Sequence, residues 1–208
     1  MKSGNGKFNL SEKIEGMKRT LEGFEKEIYN YTYERDIRTS CYGALIDNLD
    51  YFVSILTILK SKNRKRWSGK AAKQVYVTMI SIIEYAMDKI VEKYPRSPLY
   101  RKVQECKKNN GFSLRKLVYL SADLGLLNRT LKRDFENIIE IRNLLVHNNA
   151  ISNRTGVMMI GDVTIKMTKG DQIPIKLPEL LEIILTALEI FHRWNVDLAK
   201  NYGIAKRW

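Results

Sequence analysis

The segment 138–149, IIEIRNLLVHNN, decides how the rest of the chain is interpreted. Its Ile, Leu and Val residues recur at the spacing of a helix, and Arg142, Asn143 and His147 interrupt this apolar surface. Polar groups near a core cost free energy unless they are paired or used, so the cluster requires an explanation. We expect the two asparagines after His147 to end the helix, because Asn tolerates the left-handed conformation that follows many helices.

The spacing of the three polar residues limits how they can meet. Asn143 and His147 are four residues apart, so they share one face of a helix. Arg142 and His147 are five residues apart, which places them about 140° apart around an ideal helix. They converge only if the Arg side chain wraps round the helix, if the last turn unwinds, or if a second copy of the helix supplies the partner.

The hexapeptide RNLLVH, residues 142–147, resembles the R-x4-H motif of the HEPN superfamily. In that family a polar residue usually follows the Arg, as Asn143 does here, and residues 148–153 resemble the segment after the motif. The motif with its flanks covers residues 113–153, and a looser helical resemblance extends over 69–202. The first sixty residues match no family that we recognise.

The resemblance implies a helical bundle that usually dimerises. Many HEPN proteins are metal-independent endoribonucleases of toxin–antitoxin, phage-defence or RNA-processing systems, with a composite site built from the motif Arg and His of both protomers. On this chain those residues are Arg142 and His147, with Asn143 as the polar companion. Other family members have lost the activity and serve as binding or dimerisation modules.

The chemistry of metal-free RNA cleavage fits these residue types. A histidine, with a reference pKa near 6.5, acts as base or acid near neutrality, and an arginine presents charged donors to phosphate oxygens. A two-fold pair of helices would bring together two copies of Arg142 and His147, and closed dimers are the commonest oligomers. The alternative is that both are surface cations favoured by the dipole at a helix C-terminus.

Length, composition and charge are consistent with an RNA-binding protein. A chain of 208 residues with 44% hydrophobic residues is long and apolar enough for one sizeable core. The net charge of +13 favours a polyanionic partner, most simply nucleic acid, although a soluble basic surface without a partner is the alternative. Because the apolar runs are too short for a membrane span and the N-terminus lacks a signal-peptide core, we expect a cytoplasmic protein without membrane contact.

Metal and cofactor chemistry finds no support in the sequence. Cys41 and Cys106 have no metal-ligand spacing and read as reduced thiols. No Gly-rich phosphate loop followed by Lys is present, and no other His, Cys or Asp cluster has the spacing of a metal site. We therefore expect neither a metal nor a cofactor.

The hydrophobic pattern predicts a mainly α-helical bundle with a small β-hairpin insert. Two amphipathic helices, 9–31 and 36–60, predict an N-terminal helical hairpin that together with a basic linker forms residues 1–68. Residues 69–208 are expected to form the HEPN-like bundle, and the two parts to make one compact unit. Predicted helices in this second part cover 71–94, 113–124, 128–147 and 178–202. Residues 94–112 are expected to form a basic loop, with a short helix within it as the alternative, and residues 151–175 to contain a β-hairpin.

A strongly basic stretch joins the two parts. Residues 60–73, KSKNRKRWSGKAAK, combine seven basic residues with one aromatic residue, a pattern that suits a phosphate backbone with a stacked base. The alternative is a solvated linker whose Trp is folded back on the core. The candidate nucleic-acid-binding residues are Lys60, Lys62, Arg64, Lys65, Arg66, Trp67, Lys70 and Lys73.

Two further residues receive opposite interpretations. Glu84 lies within the apolar helix 71–94 and is either a half-exposed edge residue or a buried acid that pairs with Arg142 and supports the site. His192 is expected to pack with Phe191 and Trp194 and to take no part in chemistry. The predicted function is an endoribonuclease that acts on RNA as a homodimer, with an antitoxin or defence-system protein as a further partner; a silent basic binding module is the alternative.

Overall fold

The structure, a computed structural model, describes residues 9–61, 65–109, 111–147 and 149–203. Within these ranges the chain forms seven helices and one antiparallel two-stranded hairpin, which lies before the last helix. The prediction of a mainly α-helical fold with a small β-hairpin insert is therefore confirmed. The elements are α1 (Leu10–Thr32), α2 (Ile37–Ser61), α3 (Lys65–Glu92), α4 (Pro98–Lys108), α5 (Leu114–Asp123), α6 (Arg129–His147), β1 (Gly156–Ile160), β2 (Val163–Met167) and α7 (Leu177–Tyr202).

The first two helices form the predicted hairpin. Asn9 caps α1, since its side chain accepts a hydrogen bond from the Glu12 N–H at 3.3 Å. Tyr33 ends α1 in the left-handed conformation with φ 53°, and its N–H bonds the Tyr29 carbonyl. Apolar residues of α1 that alternate spacings of three and four are buried against α2 and α7 of the same chain. They are Ile14, Met17, Leu21 and Ile28.

The predicted basic linker is mostly helix. The helix that was expected to begin at residue 71 begins at Lys65. Helix α2 continues to Ser61 and α3 begins at Lys65, so only residues 62–64 separate them. Lys, Arg and Gln lose little rotamer freedom in a helix, and no proline interrupts the segment. The alternative of a helix within 94–112 is the one observed: α4 covers 11 residues, and Ser97 caps it by accepting a hydrogen bond from the Tyr100 N–H.

The β-hairpin packs against the outer side of α6. Gly161 takes the left-handed turn position with φ +51°, and its N–H donates to Asp134 Oδ2 at 3.2 Å. Asn137 Nδ2 donates to the Met159 carbonyl at 2.9 Å. These two bonds fix the hairpin along the helix that carries the motif.

Helix α7 is the most enclosed element and ties the bundle together. Trp194 donates to Ser121 Oγ at 2.9 Å, which links α7 to α5. The ring of His192 stacks on Phe24, with centroids 3.9 Å apart, and bonds Tyr42 through Nδ1 at 2.9 Å. The expected packing of His192 with its chain neighbours is therefore wrong: its ring partners come from α1 and α2, because α7 turns that face towards the N-terminal hairpin.

Helix α2 contains a segment with the length and composition of a membrane span. Ile37–Leu59 has a mean hydropathy of 1.2, which differs from our expectation that no stretch approaches a span. Core helices of soluble proteins share this composition when they are mostly buried, whereas only 22% of this segment is buried inside the structure. Here the segment packs one face into the core through Leu45, Leu49 and Phe52.

Candidate functional site

The motif residues lie in the last two turns of α6, as the sequence predicts. The helix remains regular through His147, and the Ala150 N–H closes its end on the Leu144 carbonyl at 3.0 Å. Asn149 takes the left-handed conformation with φ 50°, the role expected for the asparagines there. Because the last turn does not unwind, Arg142 and His147 keep the wide angular separation of an α-helix.

Arg142 is anchored to the neighbouring helix α3. Its Nη2 donates to Glu84 Oε2 at 2.5 Å, and the two side chains retain 18% and 36% of their exposure. The Nε atom of Arg142 is enclosed and has no hydrogen-bond partner within the described residues. The carboxylate is therefore the one described anion that compensates a largely desolvated cation, and the acid is half-buried rather than fully buried.

A buried tyrosine joins α3 to the motif helix. The Tyr76 hydroxyl on α3 donates to the Ile138 carbonyl of α6 at 2.7 Å. Burial raises the pKa of Tyr76 well above its ordinary value, and the positive charge of Arg142 acts in the opposite direction. The core face of α6 differs slightly from expectation, since Leu144 is buried whereas Val146, assigned to an apolar stripe, is 47% exposed.

His147 faces outward at the end of α6. Its side chain is exposed and makes no hydrogen bond or ion pair with the described residues. Asn143, one turn earlier, is half-buried and likewise bonds no described side chain. The structure thus brings Arg142 together with Glu84, and leaves His147 and Asn143 on the accessible side of the helix.

Part of the basic segment lies beside the end of the motif helix. Lys73 and Gly69 of α3 line a small cavity of about 40 Å³ together with Leu145 of α6 and residues near the start of α7. Lys70 is exposed on the same turn of α3. Residues 62–64 and the side chains of residues 60–68 lie outside the described structure. The RNA-binding roles expected for Trp67 and for the basic residues of that range therefore stay predictions.

Sequence reasoning missed a second basic cluster on α5 and α6. Tyr119 is exposed, and the Nζ atoms of Lys116 and Lys132 lie 5.2 Å and 4.9 Å from its ring centroid. The spacing of Lys116 and Tyr119 on α5 was visible in the sequence, but the approach of Lys132 from α6 depends on helix packing. Among the described residues, no group of three or more His, Cys, Asp or Glu side chains is placed to hold a metal ion.

Comparison with protein-family models, with curated proteins and with solved structures finds no match to this chain. The resemblance to HEPN proteins therefore rests on the motif and on its position in the helical bundle.

Proposed function

We propose that the protein is a metal-independent endoribonuclease of HEPN type that acts as a homodimer. One observation carries this proposal: Arg142 is held in place by Glu84, while His147, five residues on, is exposed and free of hydrogen-bond partners among the described residues. An accessible imidazole can transfer a proton and a fixed cation can stabilise the charge on the phosphate, and cleavage by the ribose 2′-hydroxyl uses both of these functions.

Each residue has a distinct role in this proposal. His147 takes the proton of the attacking 2′-hydroxyl or supplies one to the leaving 5′-oxygen, and solvent water carries out the other of these two proton transfers. Arg142 stabilises the charge that develops on the phosphate, because its guanidinium has five N–H donors and Glu84 engages only Nη2. Glu84 is a positioning residue, and Asn143 orients the imidazole or binds a phosphate oxygen.

The regular end of α6 supports a site shared between protomers. The last turn of α6 does not unwind, and the Arg142 side chain extends to α3 instead of wrapping round α6. Neither of these routes therefore brings Arg142 to His147 within one chain. The remaining way is a second copy of α6 related by a two-fold axis. The resemblance adds the expected setting, which is a cytoplasmic toxin–antitoxin or phage-defence system with an antitoxin as a protein partner.

The test is cleavage of a mixed RNA pool in EDTA by the parent protein, His147→Ala and Arg142→Ala. Arg154→Ala is the matched control, because Arg154 is an exposed arginine just before β1 that pairs with Glu140 on the motif helix. We expect both motif variants to lose cleavage while the control retains it, with oligomeric state and folding verified by light scattering and circular dichroism. Equal cleavage by all four proteins would refute the catalytic assignment.

A mixing experiment tests the shared site. If catalysis combines Arg142 of one protomer with His147 of the other, unfolding and refolding the two inactive variants together restores part of the parental activity. Each variant refolded alone stays inactive. No recovery, with mixed dimers present, would contradict a site in which the two residues come from different protomers.

A non-catalytic function is the second candidate, and the basic cluster on α5 and α6 favours it. In this case the protein binds RNA through cationic surfaces without cutting it. Folded parent protein that binds RNA with steep salt dependence but leaves every RNA in the pool intact would support this candidate.

A further inference from the structure

The exposed ring of Tyr119 lies between two lysine side chains from different helices. Lys116 lies three residues before it on α5, and Lys132 reaches it from the first turn of α6. Both ammonium groups lie within about 5 Å of the same ring centroid, so they are at most about 10 Å apart. This arrangement holds two like charges close together beside an accessible aromatic face.

The chain segment that carries these residues is strongly basic. Residues 96–133 contain ten Lys and Arg but only two acidic residues, Glu105 and Asp123, and so have a net charge of +8 out of the total of +13. Arg115 and Arg129, on the same two helices, are exposed and form no ion pair with the described residues. Part of the charge of this segment is compensated, since Lys132 pairs with Glu136 at 3.6 Å and Arg133 with Asp134 at 2.7 Å.

The side chains around Tyr119 can exchange their present contacts for a ligand at small cost. Cation–π contacts at exposed positions are weak, and water competes for the ammonium groups. A nucleobase that stacks on the ring displaces such a contact, and the released lysines are then placed to bind the phosphates on either side of that base.

We propose that the face formed by α5 and α6 is a binding site for single-stranded RNA, with Tyr119 as the stacking platform and Lys116 and Lys132 as the phosphate-binding groups. Helical geometry relates this site to the motif, because Lys132 and His147 lie about 60° apart around α6 and about 22 Å apart along it. The choice of RNA as the ligand rests on the proposed function, whereas the binding site rests on the contacts described here.

The first test measures binding of a fluorescein-labelled oligouridine of about twelve nucleotides, a length within the range of single-strand binding sites, by fluorescence anisotropy. All proteins carry His147→Ala, so that the probe is not cut. We expect Tyr119→Ala to raise the Kd about tenfold and Tyr119→Phe to leave it within about twofold, because Phe retains the ring that stacks. Tyr29→Ala is the matched control, since Tyr29 is 43% exposed and Tyr119 is 44% exposed.

The second test examines the lysines through the salt dependence of binding. Lys116→Gln combined with Lys132→Gln removes two phosphate contacts, which lowers the slope of log K against log salt by about 1.4 for a single strand. The control variant combines Lys26→Gln with Lys169→Gln, two exposed lysines on α1 and after β2. This control removes the same net charge and is expected to change the slope much less.

The two tests separate this site from the catalytic proposal. Parental binding by Tyr119→Ala, or equal slopes for the two double variants, overturns the α5–α6 site whatever the cleavage assay shows. Tighter binding of a duplex than of oligouridine overturns it as well. Both proposals are supported if the motif variants lose cleavage and the α5–α6 variants bind more weakly than their controls. The binding site alone is supported if the α5–α6 variants bind more weakly but the parent protein cleaves no RNA.

Discussion

Removal of Glu84 tests how Arg142 is held. Glu84→Ala leaves the guanidinium of Arg142 largely buried with no described anion beside it, since its side chain is only 18% exposed and its Nε has no partner. Hydrogen bonds to charged groups contribute about 1.5–3 kcal/mol, and a cation that cannot regain water loses most of that amount. We therefore expect the free energy of unfolding to fall by about 2 kcal/mol.

Removal of Arg142 is expected to lower the free energy of unfolding by less than removal of Glu84. Arg142→Met retains the aliphatic part of the side chain and leaves Glu84, which is 36% exposed and can be hydrated. The expected loss is about 1 kcal/mol, and the double variant should resemble Arg142→Met rather than the sum of the two changes. Glu84→Ala is the more destabilising single variant because it leaves the less exposed charge, that of Arg142, without its partner.

Urea unfolding followed by circular dichroism measures the free energy of unfolding of the parent, the two single variants, the double variant and a control under the same conditions. Glu140→Ala is the control on the motif helix, because its partner Arg154 is 50% exposed and such surface pairs contribute only about 0.5 kcal/mol. A loss for Glu84→Ala no larger than that of Glu140→Ala would refute the reasoning, as would a larger loss for Arg142→Met than for Glu84→Ala.

Three further predictions concern the core and the hairpin. Burial lowers the pKa of His192 from its ordinary 6.5, so the unfolded chain binds the proton more readily and the free energy of unfolding decreases as the pH falls below 6.5; His192→Gln should flatten this decrease in pH-dependent urea unfolding. Gly161→Ala should destabilise the protein by about 1 kcal/mol in thermal unfolding because of its φ of +51°, whereas Gly156→Ala, with open space around it, should be nearly neutral. Burial raises the pKa of Cys41 to about 12, so at pH 8 a thiol reagent should modify the partly exposed Cys106 first and reach Cys41 only on unfolding; rapid modification of both would contradict the burial of Cys41.

The periodicity of the sequence predicted most of the helices because each has one continuous apolar face. The caps at Asn9 and Ser113 and the left-handed Asn149 follow local rules that need no tertiary contact. The errors fell where composition misled. The basic start of α3 was interpreted as a linker, and the region of α4 as a loop with at most a short helix, because polar residues weaken the apolar pattern without weakening helix propensity.

The sequence by itself determined the helical character of the chain, the place where α6 ends and the separation of Arg142 and His147 around that helix. These properties depend on residue spacing and on the geometry of a single helix. Only the tertiary structure decided that Arg142 meets Glu84, that His192 faces α1 and α2, and that Lys132 joins Lys116 at Tyr119. Each of these contacts joins residues that are distant in sequence or on different helices, and their meeting depends on how the helices pack.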